Sequence, residues 1–178
     1  MDKRVVKLAG LEDDSITNGP GLRFVLFTQG CPHHCPGCHN PQTHPFSGGK
    51  EYTVDQIFQR IIQNPLETGV TFSGGEPFCQ AAPLAELAEM LKARGYEVAV
   101  YTGFTFEYLK DSMDAGIQKL LHNTDVLVDG KFILERRDIL LRFRGSGNQR
   151  ILNVPESLRM NEAVWMEQED WTGNPYGS

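Results

Sequence analysis

The stretch LRFVLFTQGCPHHCPGCHN, residues 22–40, joins an apolar run directly to a loop that contains three cysteines. Aliphatic and aromatic residues dominate its first part, LRFVLFT, as in a strand that is buried on both faces. Such strands belong to parallel sheets, whose strands are connected by helices. The stretch therefore predicts an α/β fold with a cysteine loop at the end of the first strand.

The rest of the chain alternates between helical and strand patterns. Apolar residues recur at helical spacing after a possible cap at Thr53, and Pro65 ends that helix near residue 64. Further strands are predicted at 69–73, 97–101, 125–128 and 150–154, with a helix around 84–91 and a broken helix at 106–121. Short strands with helical crossovers predict a parallel sheet, open or partly rolled, with function at the carboxyl ends of its strands.

Composition suits one globular domain over residues 1–178, with 40% hydrophobic and 22% charged residues. The formal net charge of −6 argues against a surface that neutralises phosphates, so no nucleic-acid partner is expected. No apolar run is long enough to span a membrane, and the N-terminus lacks a signal-peptide core, so we expect a cytoplasmic protein. Residues 165–178 are expected to form a flexible tail.

The cysteine loop predicts a metal centre, because a reducing compartment disfavours disulfides. Its CxxxCxxC spacing provides three thiolates, from Cys31, Cys35 and Cys38. A [4Fe-4S] cluster bound this way keeps one iron open to another ligand. The alternative is structural zinc with a histidine as fourth ligand: His33, His34 or His39. Spacing alone leaves both open. The fourth cysteine, Cys79, is expected to be buried.

A second motif, SGGEP at residues 73–77, ends the second predicted strand. Gly74 and Gly75 allow the backbone to present its carbonyls to a ligand, and Glu76 adds a negative charge. This combination suits an ammonium group. The alternative is a plain turn before a helix.

Together, the CxxxCxxC and GGEP motifs resemble the radical S-adenosylmethionine superfamily. The resemblance implies a partial (β/α) barrel and a [4Fe-4S] cluster held by Cys31, Cys35 and Cys38. It also implies that the amino and carboxylate groups of S-adenosylmethionine bind the fourth iron. Gly74, Gly75 and Glu76 would then line this cofactor and receive its amino group.

Further motifs resemble glycyl-radical-enzyme activases, and within them the branch that acts on anaerobic ribonucleoside-triphosphate reductase. They are NGPGLR at 18–23, CHN at 38–40, YTGF at 101–104, VDGKF at 128–132 and RGSGNQ at 144–149. The resemblance implies reductive cleavage of S-adenosylmethionine to a 5′-deoxyadenosyl radical, which generates a glycyl radical on the reductase large subunit. An electron donor such as flavodoxin or ferredoxin would be needed. Alternatives are another target, such as pyruvate formate-lyase or a small molecule, and a zinc-binding module.

The resemblance also implies cofactor contacts beyond the two main motifs: Gly37, Cys38, His39, Tyr101, Asp129 and Lys131. Many superfamily members carry an aromatic residue at the position of Gly37, where it contacts the adenine, so here that contact would fall to backbone or to His39. Other interpretations stay open for two of these residues. Asp129 with Gly130 also suits a two-residue hairpin turn, and Tyr101 a core aromatic.

Basic residues are concentrated near the end of this acidic chain: Arg136, Arg137, Arg142, Arg144 and Arg150. They predict a landing site for an acidic partner or electron donor. A solvated face with ordinary salt bridges is the alternative.

Overall fold

A computed structural model describes residues 4–173 and contains one seven-stranded sheet with six α-helices. The strands are β1 (Val5–Ser15), β2 (Arg23–Thr28), β3 (Lys50–Thr53), β4 (Gly69–Gly74), β5 (Glu97–Tyr101), β6 (Val126–Asp129) and β7 (Arg150–Asn153). The helices are α1 (Val54–Ile62), α2 (Ala81–Ala93), α3 (Phe106–Lys110), α4 (Ala115–His122), α5 (Val154–Met160) and α6 (Glu169–Thr172). The strand order is β3-β1-β2-β4-β5-β6-β7.

The centre of the sheet is parallel, which confirms the predicted α/β class. Strands β2, β4, β5 and β6 run in one direction, joined by helical crossovers. Both edges are antiparallel: β1 pairs with β2 and β3 on one side, and β7 pairs with β6 on the other. The carboxyl ends of β2, β4, β5 and β6, which the predicted site motifs follow, therefore meet at one edge of the parallel core.

The predicted fifth strand exists as β7, but it is antiparallel to β6 rather than parallel. Residues 130–149 connect the two strands and contain one short 3₁₀ turn, Leu134–Arg136, in place of a crossover helix. Without such a crossover the chain returns antiparallel. The hairpin interpretation of Asp129 and Gly130 is also wrong, because this long connection follows them.

The predicted helix start at Thr53 is confirmed by a reciprocal cap. The Thr53 hydroxyl accepts from the Gln56 N–H at 3.1 Å, and the Gln56 side chain accepts from the Thr53 N–H at 2.9 Å. The broken helix is confirmed too, as α3 and α4 separated by residues 111–114. Strands β1 and β3 were not predicted, since the mixed polarity of both strands gives a weak pattern.

Two apolar clusters pack on the two faces of the sheet. The larger one lies between the sheet and helices α1 to α5. The smaller one consists of Ala99, Val126, Val128, Ile151, Met166 and Trp171. The helices therefore cover one face, while the end of the chain covers part of the other.

The predicted flexible tail is wrong for residues 165–173. Trp165 forms a backbone bridge with Leu152, Met166 is buried, and Trp171 in α6 is 0% exposed. One buried indole holds this segment, and a single residue creates no periodic pattern that a sequence could reveal. The remainder of the predicted tail, residues 174–178, lies outside the described residues. No helix among residues 4–173 is both long and apolar enough to cross a membrane.

Candidate cofactor site

One cavity of about 360 Å³ opens at the carboxyl ends of the parallel strands. Its walls come from the cysteine loop after β2, from the end of β4, and from the segments that follow β5 and β6. All three cysteines of the motif line it. The other predicted contacts that line it are His39, Gly74, Gly75, Tyr101 and Lys131. The fold thus collects most of the predicted site residues around one space of ligand size.

Backbone N–H groups surround the three sulfurs. Cys31 accepts from the amides of the two following histidines, Cys35 accepts from the Phe132 amide, and the Asn40 N–H lies 3.5 Å from the Cys38 sulfur. Burial raises the pKa of the Cys31 and Cys35 thiols, and these amides act in the opposite direction. Amide donors of this kind stabilise thiolate ligands and set the potential of an iron–sulfur cluster.

The three sulfurs border one cavity, as the ligands of a cubane cluster would. Among residues 4–173, no three His, Cys, Asp or Glu side chains converge closely enough to share a single metal ion. A cubane binds each thiolate through a different iron, so its ligands need to line one space rather than meet at one point. The buried His44 Nε2, also in the cavity wall, lacks a hydrogen-bond partner within the described residues, as expected for a site that takes a polar ligand.

Gly37, between the second and third cysteines, lies against the segment that follows β6. Its φ is +76°, and a Cβ there would lie 2.8 Å from Leu134 Cδ1. Phe132 and Leu134, from the segment after β6, occupy the space that a side chain at this position would need. The positive φ, a conformation that residues with a Cβ rarely adopt, therefore accounts for glycine at this position.

The two glycines of SGGEP allow β4 to end directly against the cysteine loop. Gly74 has a φ of +89°, and a Cβ on Gly75 would lie 2.3 Å from the Gly30 carbonyl oxygen. The Gly75 N–H donates to the Thr28 carbonyl at 2.8 Å. This close backbone approach is more than a plain turn requires, and it brings Gly74 and Gly75 to the cavity wall.

Glu76 takes a different position from the predicted one. Its side chain is 0% exposed, and Glu76 is not among the described residues that line the cavity. One carboxylate oxygen accepts from the Phe78 N–H at 3.1 Å and the Thr102 hydroxyl at 2.8 Å. The other accepts from the Gly103 N–H at 2.9 Å and from His33 Nε2 at 2.6 Å. With both oxygens engaged, Glu76 organises the cavity wall, and any influence on a bound ammonium group is exerted through its charge.

Asp129 is likewise engaged by the protein. Its buried carboxylate accepts from Arg150 at 2.6 Å and from the Phe106 N–H at 2.8 Å, and it faces a second cavity next to the first. Lys131 lines both cavities. Tyr101 lines the cavity, its ring packs against the smaller apolar cluster, and its hydroxyl donates to the Phe143 carbonyl at 2.7 Å. Burial raises the pKa of Tyr101.

Other residues of interest also have new positions. Cys79 is exposed rather than buried, because it lies in the short 3₁₀ turn Pro77–Gln80 at the surface. Arg150 is committed to Asp129 and Glu107, so it does not belong to a free basic surface. Arg136 and Arg137 are exposed on the segment after β6 and remain available.

Sequence reasoning missed three partners of the site: His33, Thr102 and Gln149. The first two hold Glu76, and the Gln149 side chain accepts from the Gly145 and Ser146 amides and donates to the Gly130 carbonyl. Each lies in a motif that the sequence singled out, but hydrogen bonds between distant segments leave no local signal.

Comparison with known proteins agrees with this site. A family model described as "4Fe-4S single cluster domain" matches residues 17–152. The anaerobic ribonucleoside-triphosphate reductase-activating protein of Vibrio cholerae is 39% identical over 143 residues, which cover 75% of this chain and 89% of that protein.

Two further proteins are more distant. The pyruvate formate-lyase-activating enzyme of Staphylococcus aureus is 35% identical over 89% of this chain, a match that spans 66% of that enzyme. QueE from Escherichia coli, a solved structure, is 16% identical with a TM-score of 0.48, over 57% of this chain and 54% of that one, too weak a likeness to carry an argument. The residues matched by the family model contain the cysteine loop and the whole cavity wall. The chain belongs to the 4Fe-4S single cluster domain family and to the family of anaerobic ribonucleoside-triphosphate reductase-activating proteins.

Proposed function

We propose that this chain binds S-adenosylmethionine at a [4Fe-4S] cluster and generates the glycyl radical of anaerobic ribonucleoside-triphosphate reductase. The observation that carries the proposal is the shared cavity, which three cysteines line together with the carboxyl ends of β4, β5 and β6 and the segments that follow them. The chemistry that a cluster supplies there is one-electron reductive cleavage of S-adenosylmethionine into methionine and a 5′-deoxyadenosyl radical. The polypeptide contributes binding, orientation and shielding from water.

The residues around the cavity suit the two ends of this ligand. Cys31, Cys35 and Cys38 would hold the cluster, and the backbone at Gly74 and Gly75 would receive the amino group. Lys131, a cation in the cavity wall, is suited to the carboxylate. Asp129 lies two residues before Lys131, and Arg150 donates a hydrogen bond to its carboxylate. Asp129 would act on the cofactor from the neighbouring cavity.

The proposed partner is the large subunit of the reductase, with a flavodoxin or ferredoxin as electron donor. The relative at 39% identity is named for the reductase, and this chain covers 89% of its length. The formate-lyase activating enzyme matches over a smaller share of its own length. The reductase is therefore the favoured target. We also propose a cytoplasmic location, because the cysteines of the site form no disulfide among the described residues and free thiols are typical of that compartment.

Anaerobic reconstitution tests the cluster. With iron and sulfide, the purified chain should gain broad visible absorbance that dithionite bleaches. Cys35→Ser should lose this absorbance, while Cys79→Ser, outside the cavity wall described, should retain it. A colourless protein that binds zinc through the same cysteines would overturn the proposal.

Electron paramagnetic resonance tests the target. The reduced chain, mixed with S-adenosylmethionine and the reductase, should produce a glycyl radical signal. Parallel samples with pyruvate formate-lyase should remain silent. A signal with formate-lyase alone would retain the chemistry and reject the reductase as partner.

A further inference from the structure

The ring of Phe132 lies in the cavity wall beside the cysteine loop. Two glycines lie close to it. A Cβ on Gly37 would lie 3.4 Å from Phe132 Cε1, and a Cβ on Gly145 would lie 3.0 Å from Phe132 Cδ2. A Cβ on Gly145 would be tight against the ring, whereas one on Gly37 would make an ordinary van der Waals contact, so Gly145 is the residue that makes room for the ring.

Backbone contacts hold this ring at a set place relative to the sulfurs. The Phe132 N–H donates to the Cys35 sulfur. On the other side, Gln149 accepts from the Gly145 N–H at 2.8 Å and donates to the Gly130 carbonyl at 3.1 Å. These bonds involve no atom of the Phe132 side chain, so substitutions of the ring leave them in place.

Two other rings in the cavity wall, those of Tyr101 and His39, are less suited to receive a flat ligand, and the His33 ring is hydrogen-bonded to Glu76. The hydroxyl of Tyr101 is tied to the Phe143 carbonyl, and its ring packs against the smaller apolar cluster. The exposed His39 ring lies 5.4 Å from the Phe132 ring at an angle of 53°. A base inserted between two rings needs about 7 Å, twice a carbon contact distance. A base could enter between these two rings only if the exposed His39 ring moved, so His39 as it stands does not share a base with Phe132.

We infer that Phe132 is the platform on which the adenine of S-adenosylmethionine stacks, an inference that rests on the function proposed above. Purine rings stack on aromatic side chains without needing a directed hydrogen bond. With the sulfonium end near the cluster, a residue whose backbone N–H bonds to the Cys35 sulfur places its ring, and a base stacked on it, at a set distance from the cluster. Phe132 thus sets affinity for the nucleoside part of the ligand rather than for its methionine part.

Two substitutions and two probes test this role in the reconstituted protein. Phe132→Leu keeps an apolar side chain between the two glycines but removes the ring, and Phe132→Tyr is the matched control that keeps it. Binding is followed by the change in the electron paramagnetic resonance spectrum of the reduced cluster on titration. We expect Phe132→Leu to bind S-adenosylmethionine roughly tenfold to a hundredfold more weakly. Phe132→Tyr should match the wild type, and all three proteins should hold equal iron.

Methionine alone is the second probe, because it lacks the base. Its weaker titration should be the same for wild type, Phe132→Leu and Phe132→Tyr. Unchanged affinity of Phe132→Leu for S-adenosylmethionine would overturn the inference, as would equal losses for both probes or a loss of iron. Failure of the wild type to respond to S-adenosylmethionine would instead reject the proposed function itself.

Discussion

Two buried charged side chains, Glu76 and Arg23, lie at opposite ends of the same parallel strands. Glu76 follows the carboxyl end of β4 and accepts four hydrogen bonds. Arg23 begins β2 and donates to Thr71 at 2.9 Å and to Glu97 at 2.8 Å. Each is almost inaccessible to solvent, with side-chain exposures of 0% and 2%. Burial of a charge is unfavourable unless it is paired, and both ends meet that condition.

The partners of the two charges differ in kind. Three of the four donors to Glu76 lie in loops that frame the cavity, namely those of His33, Thr102 and Gly103. Arg23 contacts the starts of neighbouring strands, and its guanidinium lies 5.3 Å from the Trp171 ring, whose N–H donates to Glu97 at 3.2 Å. One cluster orders the site, and the other attaches the end of the chain to the sheet. We therefore expect damage to the Glu76 end to affect function more than stability, and the reverse at the Arg23 end.

Trp171→Ala should have the largest effect at the structural end. The fully buried indole, its hydrogen bond and its contact with Arg23 disappear together, so the free energy of unfolding should fall by about 3–5 kcal/mol. Denaturant titration of the cluster-free protein measures this change. Trp165→Ala is the matched control, because that ring is 48% exposed and should cost less than about 1 kcal/mol. Equal losses would show that Trp171 is not the anchor.

Arg23→Met should lower the free energy of unfolding by about 2–3 kcal/mol. The value is below that of a fully buried pair because the Glu97 side chain is 32% exposed. Arg60→Met, which breaks an ion pair exposed by 44% on both sides, should cost less than about 1 kcal/mol. Iron per folded chain after reconstitution should equal that of the wild type. Reduced iron in Arg23→Met would contradict the separation of the two ends.

Glu76→Gln should differ from the two preceding variants by impairing function. The amide nitrogen would then face hydrogen-bond donors, from which the carboxylate oxygen now accepts. Because two donors cannot bond to each other, the loops around the cavity would shift. We expect reductase activation to slow by roughly tenfold to a hundredfold, as for small misplacements of reacting groups. The free energy of unfolding should fall by only about 1–3 kcal/mol. Glu89→Gln, at a carboxylate that is 60% exposed, is the control and should change neither quantity. Normal activation by Glu76→Gln would refute the organising role.

The smallest effect is expected at the rim of the functional end. The double variant Arg136→Glu, Arg137→Glu should have an unchanged iron content. It should activate the reductase about threefold to tenfold more slowly, because it would repel an acidic partner. The difference should shrink at about 0.5 M salt, where screening is strong. Arg94→Glu, an exposed position next to β5 at the opposite end, serves as control. Unchanged kinetics in the double variant would remove the docking surface.

Local chemistry carried the parts of the prediction that the structure confirmed. Strands β2, β4 and β5 are short apolar runs whose burial dictates their type, and Thr53 caps α1 through bonds within one turn. The antiparallel return of β7, the ordered segment around Trp171 and the exposure of Cys79 were missed. Each depends on contacts between residues distant in sequence, which no local pattern encodes.

The sequence by itself determined the α/β class, the edge of the sheet at which the site lies, and the three cysteines that we propose as cluster ligands. These follow from residue chemistry and from periodicity, which act over a few neighbouring positions. Only the tertiary structure decided that Glu76 supports the cavity wall instead of lining it, and that the segment after β6 places Phe132 against Gly37. The reason is physical. A buried carboxylate accepts hydrogen bonds from the donors that the fold brings within reach, and the segment that packs against a glycine is likewise set by the fold.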